Sequence, residues 1–488
     1  MFIKSYKKLT KNKIIFSSFV YLGFSLITQL VNLFYTPLLT KNLSQEEYGI
    51  YSLLISMEGV ISLSLLLCIP SGYSRFYNEI EDKKELENSF LNFLILFGIL
   101  ILIFLSIFSK SINKLMLKNI KDGSLYIILI GLSSYFLGII SLLTIKYSME
   151  FKALKISLIN FCNIFLQYIL MIIILFYGKL TIENILYIKF SIVFFILSIL
   201  FIANIKYYKL KINIALIKEP LKFSLGLVLG QASTWILMLI DRQFISGYCG
   251  FSDVGIYSLG SKIGMLINPL FIEPLRKIYT PLKFKVYKLK DGKNIINVYY
   301  KMYCFFGGFI ILSLGLYSNI AINILATKQY ISAIYIIPII ATAYFLWGLN
   351  EFYALGIVIG NKSIANSLIA FSAALLNIVF NIILIPKIGM YGAAFSSITS
   401  YLLTNELYYI FGKKYYNLEL KKIEWIKYLI ICVCIYGVKI ILDRYFNLNI
   451  LLEGIINILY LILYVIINIV LKNLSLKELR EIFTYDIN

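Results

Sequence analysis

The sequence predicts an all-α polytopic membrane protein. It reads as about 14 transmembrane helices, arranged as two parallel six-helix lobes around a central cavity, with two further helices at the C-terminus. Three observations carry this reading. Of the 488 residues, 60% are hydrophobic and only 15% charged, with a mean hydropathy of +0.84, a composition that no ordinary soluble domain has. Apolar runs of about 20 residues, each long enough to cross a hydrocarbon core of ~30 Å, recur along the whole length. Finally, Gly49-Ile50-Tyr51-Ser52-Leu53 returns as Gly255-Ile256-Tyr257-Ser258-Leu259, preceded by Glu46 and Glu47 in the first copy and by Asp253 in the second. Each copy follows a brief polar break and opens an apolar segment, as an internal duplication would place it.

Taken in order, the predicted spans are 14–39, 49–70, 89–109, 123–146, 156–177 and 183–205 in an N-lobe (1–205). A basic cytoplasmic linker follows at 206–220. The C-lobe (221–412) holds 221–246, 254–276, 298–320, 331–360, 364–386 and 389–411. Two extra spans, 425–442 and 449–471, and a cytoplasmic tail complete the chain (413–488). Six spans precede the linker and six follow it, so the two lobes enter the membrane in the same sense. Lys4, Lys7, Lys8, Lys11 and Lys13 run straight into the first span with no small-residue cleavage site, which reads as an anchor.

The net charge of +21 would suggest nucleic acid in a soluble protein. Here most of the 46 Lys and Arg fall in the breaks on one side, so the positive-inside rule places both termini in the cytoplasm and no nucleic-acid partner is expected. The segment holding Lys110, Lys114, Lys118 and Lys121 resists, because it is basic and falls on the outer side. The six cysteines sit mostly within apolar runs and behave as small hydrophobes. No metal site is expected. With no histidine in the chain, His-based acid–base chemistry and Ser-His arrangements are excluded.

Polar residues inside several spans repeat every three or four positions and so share a helix face. The first span carries Ser18, Tyr21, Ser25, Thr28, Asn32 and Thr36; the fifth Asn160, Asn163 and Gln167; the seventh Ser224, Gln231, Thr234 and Asp241; the eighth Ser258, Lys262, Pro269, Glu273 and Arg276. Two readings of these faces stand side by side: hydrogen-bonded glue between packed helices and the lining of a hydrated cavity. Pro269, Pro274 and Pro281 should break the eighth span and its exit, either as a static kink or as a bend for alternating access.

The stretch from Leu38 to Leu53 (Leu-Leu-Thr-Lys-Asn-Leu-Ser-Gln-Glu-Glu-Tyr-Gly-Ile-Tyr-Ser-Leu), followed by Gly72-Tyr73-Ser74-Arg75-Phe76-Tyr77, resembles the start of Wzx-type O-antigen and capsule polysaccharide flippases. Asp241 to Ser246 ahead of Val254 to Leu259, and Gly389 to Phe395, resemble that family's seventh-to-eighth junction and twelfth span. The resemblance covers essentially the whole chain. Its loose small-residue motifs identify the multidrug/oligosaccharidyl-lipid/polysaccharide exporter superfamily better than they identify a substrate. It implies two six-helix lobes with a central cavity, and the transfer of an undecaprenyl-pyrophosphate-linked sugar repeat from the inner to the outer leaflet.

Ionisable residues in mid-span cost about 2.5–3.5 kcal/mol each even on mild insertion scales, so they are functional candidates by default. They are Glu58, Lys189, Asp241, Arg242, Lys262 and Glu351, with Arg75 at the inner mouth and Glu273 and Arg276 near the proline break. From these and the polar faces, the expected cavity residues are Asn32, Arg75, Gln231, Lys262 and Arg276, and the expected ion-coupling residues are Glu58 and Glu351. The repeat register sets Lys262 two residues from Glu58, so the pair would face each other from opposite lobes. In the alternative, each is satisfied within its own lobe or Lys262 snorkels. Arg75 has two readings as well, a substrate contact or a solvated salt bridge to the adjacent acidic Glu79-Ile80-Glu81-Asp82 run.

The leading functional reading is therefore a flippase for lipid-linked oligosaccharide in surface polysaccharide (O-antigen, capsule, lipopolysaccharide) biosynthesis at the bacterial inner membrane. Such a carrier has no cofactor beyond a coupling ion, H⁺ or Na⁺. Its expected partners are the lipid-linked substrate, membrane lipids and polysaccharide polymerase machinery. The competing reading is a cation-coupled multidrug exporter of the same fold, which favours an acidic, aromatic cavity. An enzyme is not expected: the outer breaks are short, and neither His nor an Asp-x-Asp motif is present.

Overall fold

The computed structural model describes residues 34–473, apart from 151, 206, 207, 361, 421–423 and 446–448, together with scattered helical positions from Ser17 to Asn32. The N-terminal lysines, Ser18 and Ser25 of the first span, Lys206 and the tail beyond 473 lie outside the described residues. The described regular structure is helical. Eleven of its helices are long and apolar enough to cross a membrane. Of the fourteen predicted spans, those eleven exclude the first, the eighth and the twelfth.

The chain divides into two compact units, Met1–Gly247 and Tyr248–Asn488. The first contains α1 (Gln45–Leu66), α2 (Ile69–Phe76), α3 (Lys83–Met116), α4 (Gly123–Met149), α5 (Ala153–Tyr177), α6 (Ile182–Asn204) and α7 (Ile214–Leu239), with α8 (Asp241–Tyr248) at the division. The helix of the seventh span thus packs with this unit, on α2 and α1. At its centre is α4, against which α1, α3 and α6 pack; its Ile127, Ile130, Leu142 and Leu143 are sealed from solvent. At 34 residues, α3 is about 51 Å long and overshoots the hydrocarbon core. Lys83 and Lys114 therefore stand at opposite ends of one rod, and the resistant Lys110–Lys121 segment occupies the overshoot and the turn beyond it.

The repeated string proves to be core. In α1, Gly49, Ile50 and Leu53 are buried; in α9 (Phe251–Gly264), all five residues from Gly255 to Leu259 are. Both helices start at the same place in the repeat, four residues before the string. Glu47, just ahead of the first copy, caps its helix. Its carboxylate accepts from Ser44 N at 2.8 Å while Ser44 Oγ accepts from Glu47 N at 3.2 Å. This capping box satisfies two orphan donors at the start of α1.

The second and eighth spans are each broken. The second stops at Leu66, passes through left-handed Leu67 and Cys68 (φ 48° and 58°), and resumes as α2 with Pro70 in its first turn. The eighth stops at Gly264 and passes through a π-helical turn, Asn268–Ile272, that begins beside Pro269. It then resumes as α10 (Glu273–Val286). The expected proline break is present. The expected continuity of 49–70 is not, because two left-handed residues re-aim the chain. Beyond the break, α2 meets α7 at Gly72: a Cβ there would come within 2.0 Å of Ser224 Oγ and 2.6 Å of Pro220 O, so only glycine permits this approach. Gly59 serves α1 likewise, lying under Trp235, whose Nε1 donates to Ser56 O at 2.7 Å.

The second unit continues with α11 (Gly292–Leu316) and α12 (Ser318–Leu325). The predicted tenth span follows as three pieces, α13 (Ala333–Gly348), α14 (Asn350–Tyr353) and α15 (Leu355–Ile359). The antiparallel pair α16 (Ser363–Ile388) and α17 (Met390–Lys413) turns at Gly389. The last two helices, α18 (Glu424–Tyr445) and α19 (Ile450–Val470), dock on α11. Tyr464 Oη donates to Phe305 O at 2.9 Å and Asn457 Nδ2 to Leu316 O at 2.9 Å. A buried Lys439 pairs with Glu453 at 3.2 Å, and Glu453 also accepts from Asn319. In hydrocarbon such polar contacts hold helices together where apolar burial alone gives no preference over lipid.

Candidate functional site

In the second unit, the two broken spans bring four charges together. Glu351 lies in α14, the short middle piece of the tenth span, and Glu273 opens α10 just after the π-turn. Arg276 follows on the first turn of α10 and Lys283 two turns later, so both cations project near one face. Arg276 Nη1 donates to Glu273 Oε1 at 2.9 Å, and its Nε lies 2.8 Å from Glu351 Oε1. The second is an ion contact and not an aligned hydrogen bond, since the Nε–H finds no acceptor along its own direction. Lys283 Nζ donates to Glu351 Oε2 at 2.9 Å. The carboxylate of Glu351 is thus held between two cations.

Aromatic rings lie against both cations. The Arg276 guanidinium lies 4.8 Å from the Trp347 ring and the Lys283 ammonium 5.3 Å from Tyr279, a geometry favoured by the ring quadrupole. Lys283 is buried, whereas Arg276 keeps 29% of its side chain exposed. The difference separates an anchor from a contact. An anion reaching this place meets a planar, partly exposed guanidinium whose fork suits phosphate oxygens, and it would compete with Glu273 and Glu351 for it.

In the first unit, Glu58 on α1 forms an ion pair with Lys189 on α6, and both side chains are largely buried. Of the two readings of Glu58, this is the one in which the acid is satisfied within its own unit, by Lys189. The repeat register marks equivalent helix positions, while the cation beside Glu58 is supplied by a helix packed against α1 in the same unit. Arg75 pairs with Glu79, with half of each side chain exposed, which is the solvated salt bridge to the acidic run.

The remaining candidates divide between the units. Lys262 is exposed in the last turn of α9, and Gln231 and Asn32 are exposed on their helices. The polar face of the seventh span divides: Ser224 and Asp241 are buried, Gln231 and Thr234 exposed. On α5, Gln167 Nε2 donates to Asn163 Oδ1 at 3.0 Å. Asp241 and Arg242 are both buried, and Arg242 donates to Met238 O at 3.2 Å. No group of three or more Cys, Asp or Glu residues able to hold a metal occurs among the described residues.

Lys283 lies beyond the predicted eighth span, 254–276, and so does not stand out in the sequence as an intramembrane charge. A weak signal is present: Lys283 lies seven residues after Arg276, on the same face of a helix. Lys189 stands out in the sequence as an intramembrane charge, but not as the partner of Glu58.

These features define a class: a multi-pass membrane protein built of two units with corresponding broken helices, each holding ion pairs that are largely shielded from solvent. A profile of the polysaccharide biosynthesis protein family matches residues 15–286, more than half of the chain. The chain belongs to that family. It is 22% identical over 281 residues to MJ1068, an uncharacterized membrane protein of Methanocaldococcus jannaschii, a match covering 55% of this chain and 54% of the other. The chain therefore spans about half the length of that relative. Among solved structures, the lipid II flippase MurJ in an inward closed conformation superposes with a TM-score of 0.72 at 18% identity, covering 93% of this chain and 99% of that one. An inward-facing multidrug resistance MATE transporter of the MOP superfamily gives 0.57 at 14% identity, covering 81% and 97%. At these identities the likeness establishes a shared fold.

Proposed function

We propose that the protein is a flippase carrying undecaprenyl-pyrophosphate-linked oligosaccharide repeat units across the bacterial inner membrane, for O-antigen or capsule biosynthesis. Its two lobes would flank a central cavity with both termini cytoplasmic, and its product would pass to polymerase machinery at the outer face. The carrying observation is the Arg276 cluster: a partly exposed guanidinium, braced on Trp347 and held by two carboxylates at 2.8–2.9 Å. A pyrophosphate enters hydrocarbon only at prohibitive cost unless cations meet it. Arg276 would exchange its carboxylates for the pyrophosphate oxygens, with Lys262 as a second cation on the route and Gln231 and Asn32 offering hydrogen bonds to sugar hydroxyls. Family membership supports the polysaccharide pathway, and the named fold relatives are flippases or transporters, not enzymes.

The multidrug reading is weakened by the same geometry. It needs acidic side chains to receive organic cations, yet Glu58 already holds Lys189, and Glu351 holds both Arg276 and Lys283. As coupling residues, either acid would have to trade its Lys or Arg for H⁺ or Na⁺.

Deletion of the gene in a strain with no redundant carrier should abolish surface glycan, accumulate lipid-linked precursor and leave drug susceptibility unchanged. Normal glycan with altered drug tolerance would reverse the reading. Lys262→Glu should stop export and Lys262→Arg retain much of it. The orientation is checked with single cysteines and an impermeant thiol reagent on intact cells. Position 250 should label and position 288 should not; the opposite pattern would invert the topology.

A further inference from the structure

A separate cavity of about 490 Å³ opens at one end of the first unit. Its wall is made by the first turns of α3, the last turn of α4, the start of α5 and the end of α6. These ends adjoin the breaks after the second, fourth and sixth spans, all assigned by the sequence to the cytoplasmic side. Nothing in the export reading uses it.

Its charge is strongly one-sided. Lys83, Lys84, Lys146, Lys152 and Lys155 line it against only Glu87 and Glu150. Each of the two carboxylates is already engaged by a lysine. Lys146 Nζ donates to Glu87 at 2.9 Å and lies 3.3 Å from Asn204 Oδ1, and Lys152 pairs with Glu150, a contact that holds the Glu150 carboxyl below its usual range. The other three lysines are exposed around the opening. Two of them rest on tyrosine rings of the same wall, Lys83 at 4.6 Å from Tyr77 and Lys155 at 5.2 Å from Tyr147, which holds their ammonium groups at the rim of the cavity. Lysines converging on one concave surface repel one another, and an anion there relieves the repulsion.

We infer that this cavity is a binding site for a phosphate-bearing anion, distinct from the export route. The volume suits a phosphorylated head group, and basic pockets between helix ends on the cytoplasmic side are places where acidic lipid head groups bind. The two sources of that chemistry are an acidic phospholipid of the adjacent leaflet and a soluble phosphate compound.

The test uses the full-length protein in detergent, titrated with phosphatidylglycerol, with phosphatidylcholine and with inorganic pyrophosphate, and read by native mass spectrometry. The variant Lys83→Gln/Lys84→Gln/Lys155→Gln should bind the anion roughly a hundredfold more weakly, at the strength of three surface lysines. Lys110→Gln/Lys114→Gln/Lys118→Gln, which removes equal charge at the far end of α3, should bind as the parent does. The corresponding triple arginine variant should retain binding. This pattern for phosphatidylglycerol alone identifies the lipid as the source, and for pyrophosphate the soluble compound. Equal loss in the cavity and far-end variants, or none in either, overturns the inference. A photo-activatable form of whichever anion binds supplies an arm that needs no variant: crosslinks on the unaltered protein should map to 77–88 and 146–155, and crosslinks elsewhere contradict the site.

Discussion

The second span of the first unit and the eighth of the second are copies of one design, and they use their charges differently. Both begin at the same point of the repeat, bury the glycine, isoleucine and leucine of the same string and break partway. After the break, Tyr73 and Tyr279 occupy equivalent positions, each sealed from solvent. The arginine near each break then meets a different setting. Arg75 reaches an exposed carboxylate one turn away; Arg276 enters a cluster with Glu273, Glu351, Lys283 and Trp347. Of these two similar scaffolds the first leaves its arginine half exposed, and the second holds its arginine between two carboxylates. What separates the copies is the partner helix, since the broken tenth span delivers Glu351 to Arg276.

The largest effect should follow loss of Glu351. Glu351→Ala strands a buried lysine and an arginine, and removing one member of a buried pair typically costs about 3–5 kcal/mol. A lowered thermal midpoint of the purified protein should report it, and Glu351→Ala/Lys283→Met should recover much of the loss. If Glu351→Ala unfolds no earlier than the parent, the cluster is not a structural unit.

Next comes the pair of the first unit. Glu58→Ala and Lys189→Ala should each destabilise by up to about 3 kcal/mol, and the double variant should show a clear coupling energy in a double-mutant cycle. The cycle of Glu58 with Lys262 should be additive. Coupling in the second cycle and none in the first would restore the facing of acid and base from different units.

The smallest effect is expected at Arg75. An exposed salt bridge contributes about 0–1 kcal/mol, so Arg75→Ala should barely move the thermal midpoint. A shift as large as that of Glu351→Ala would erase the contrast between the copies.

The spans were legible because bilayer thickness imposes a length and an apolarity that few other constraints imitate. The string was legible for a similar reason: in both units it lies four residues into a helix that packs into the core. The eighth span announced its break through prolines. The second did not: Leu67 and Cys68 carry no sign of a left-handed turn, and Pro70 alone reads as the first turn of a new helix only once the break is known. The tenth span hid its breaks in an apolar run where only Asn350 and Glu351 stand out. Ion-pair partners were beyond reach, because Glu58 finds Lys189 131 positions away and Glu351 finds Lys283 68 positions away, distances closed only by tertiary packing.

In the proposed flippase the second copy's arginine, and not the first's, meets the anionic cargo. The direct measurement is transfer of a lipid-linked oligosaccharide by purified protein in proteoliposomes, comparing Arg276→Glu, Arg276→Lys and Arg75→Glu with the parent. Arg276→Glu should abolish transfer, Arg276→Lys should retain part of it by keeping the charge without the planar fork, and Arg75→Glu should stay near the parent rate. Transfer at the parent rate by a folded Arg276→Glu protein would contradict this role.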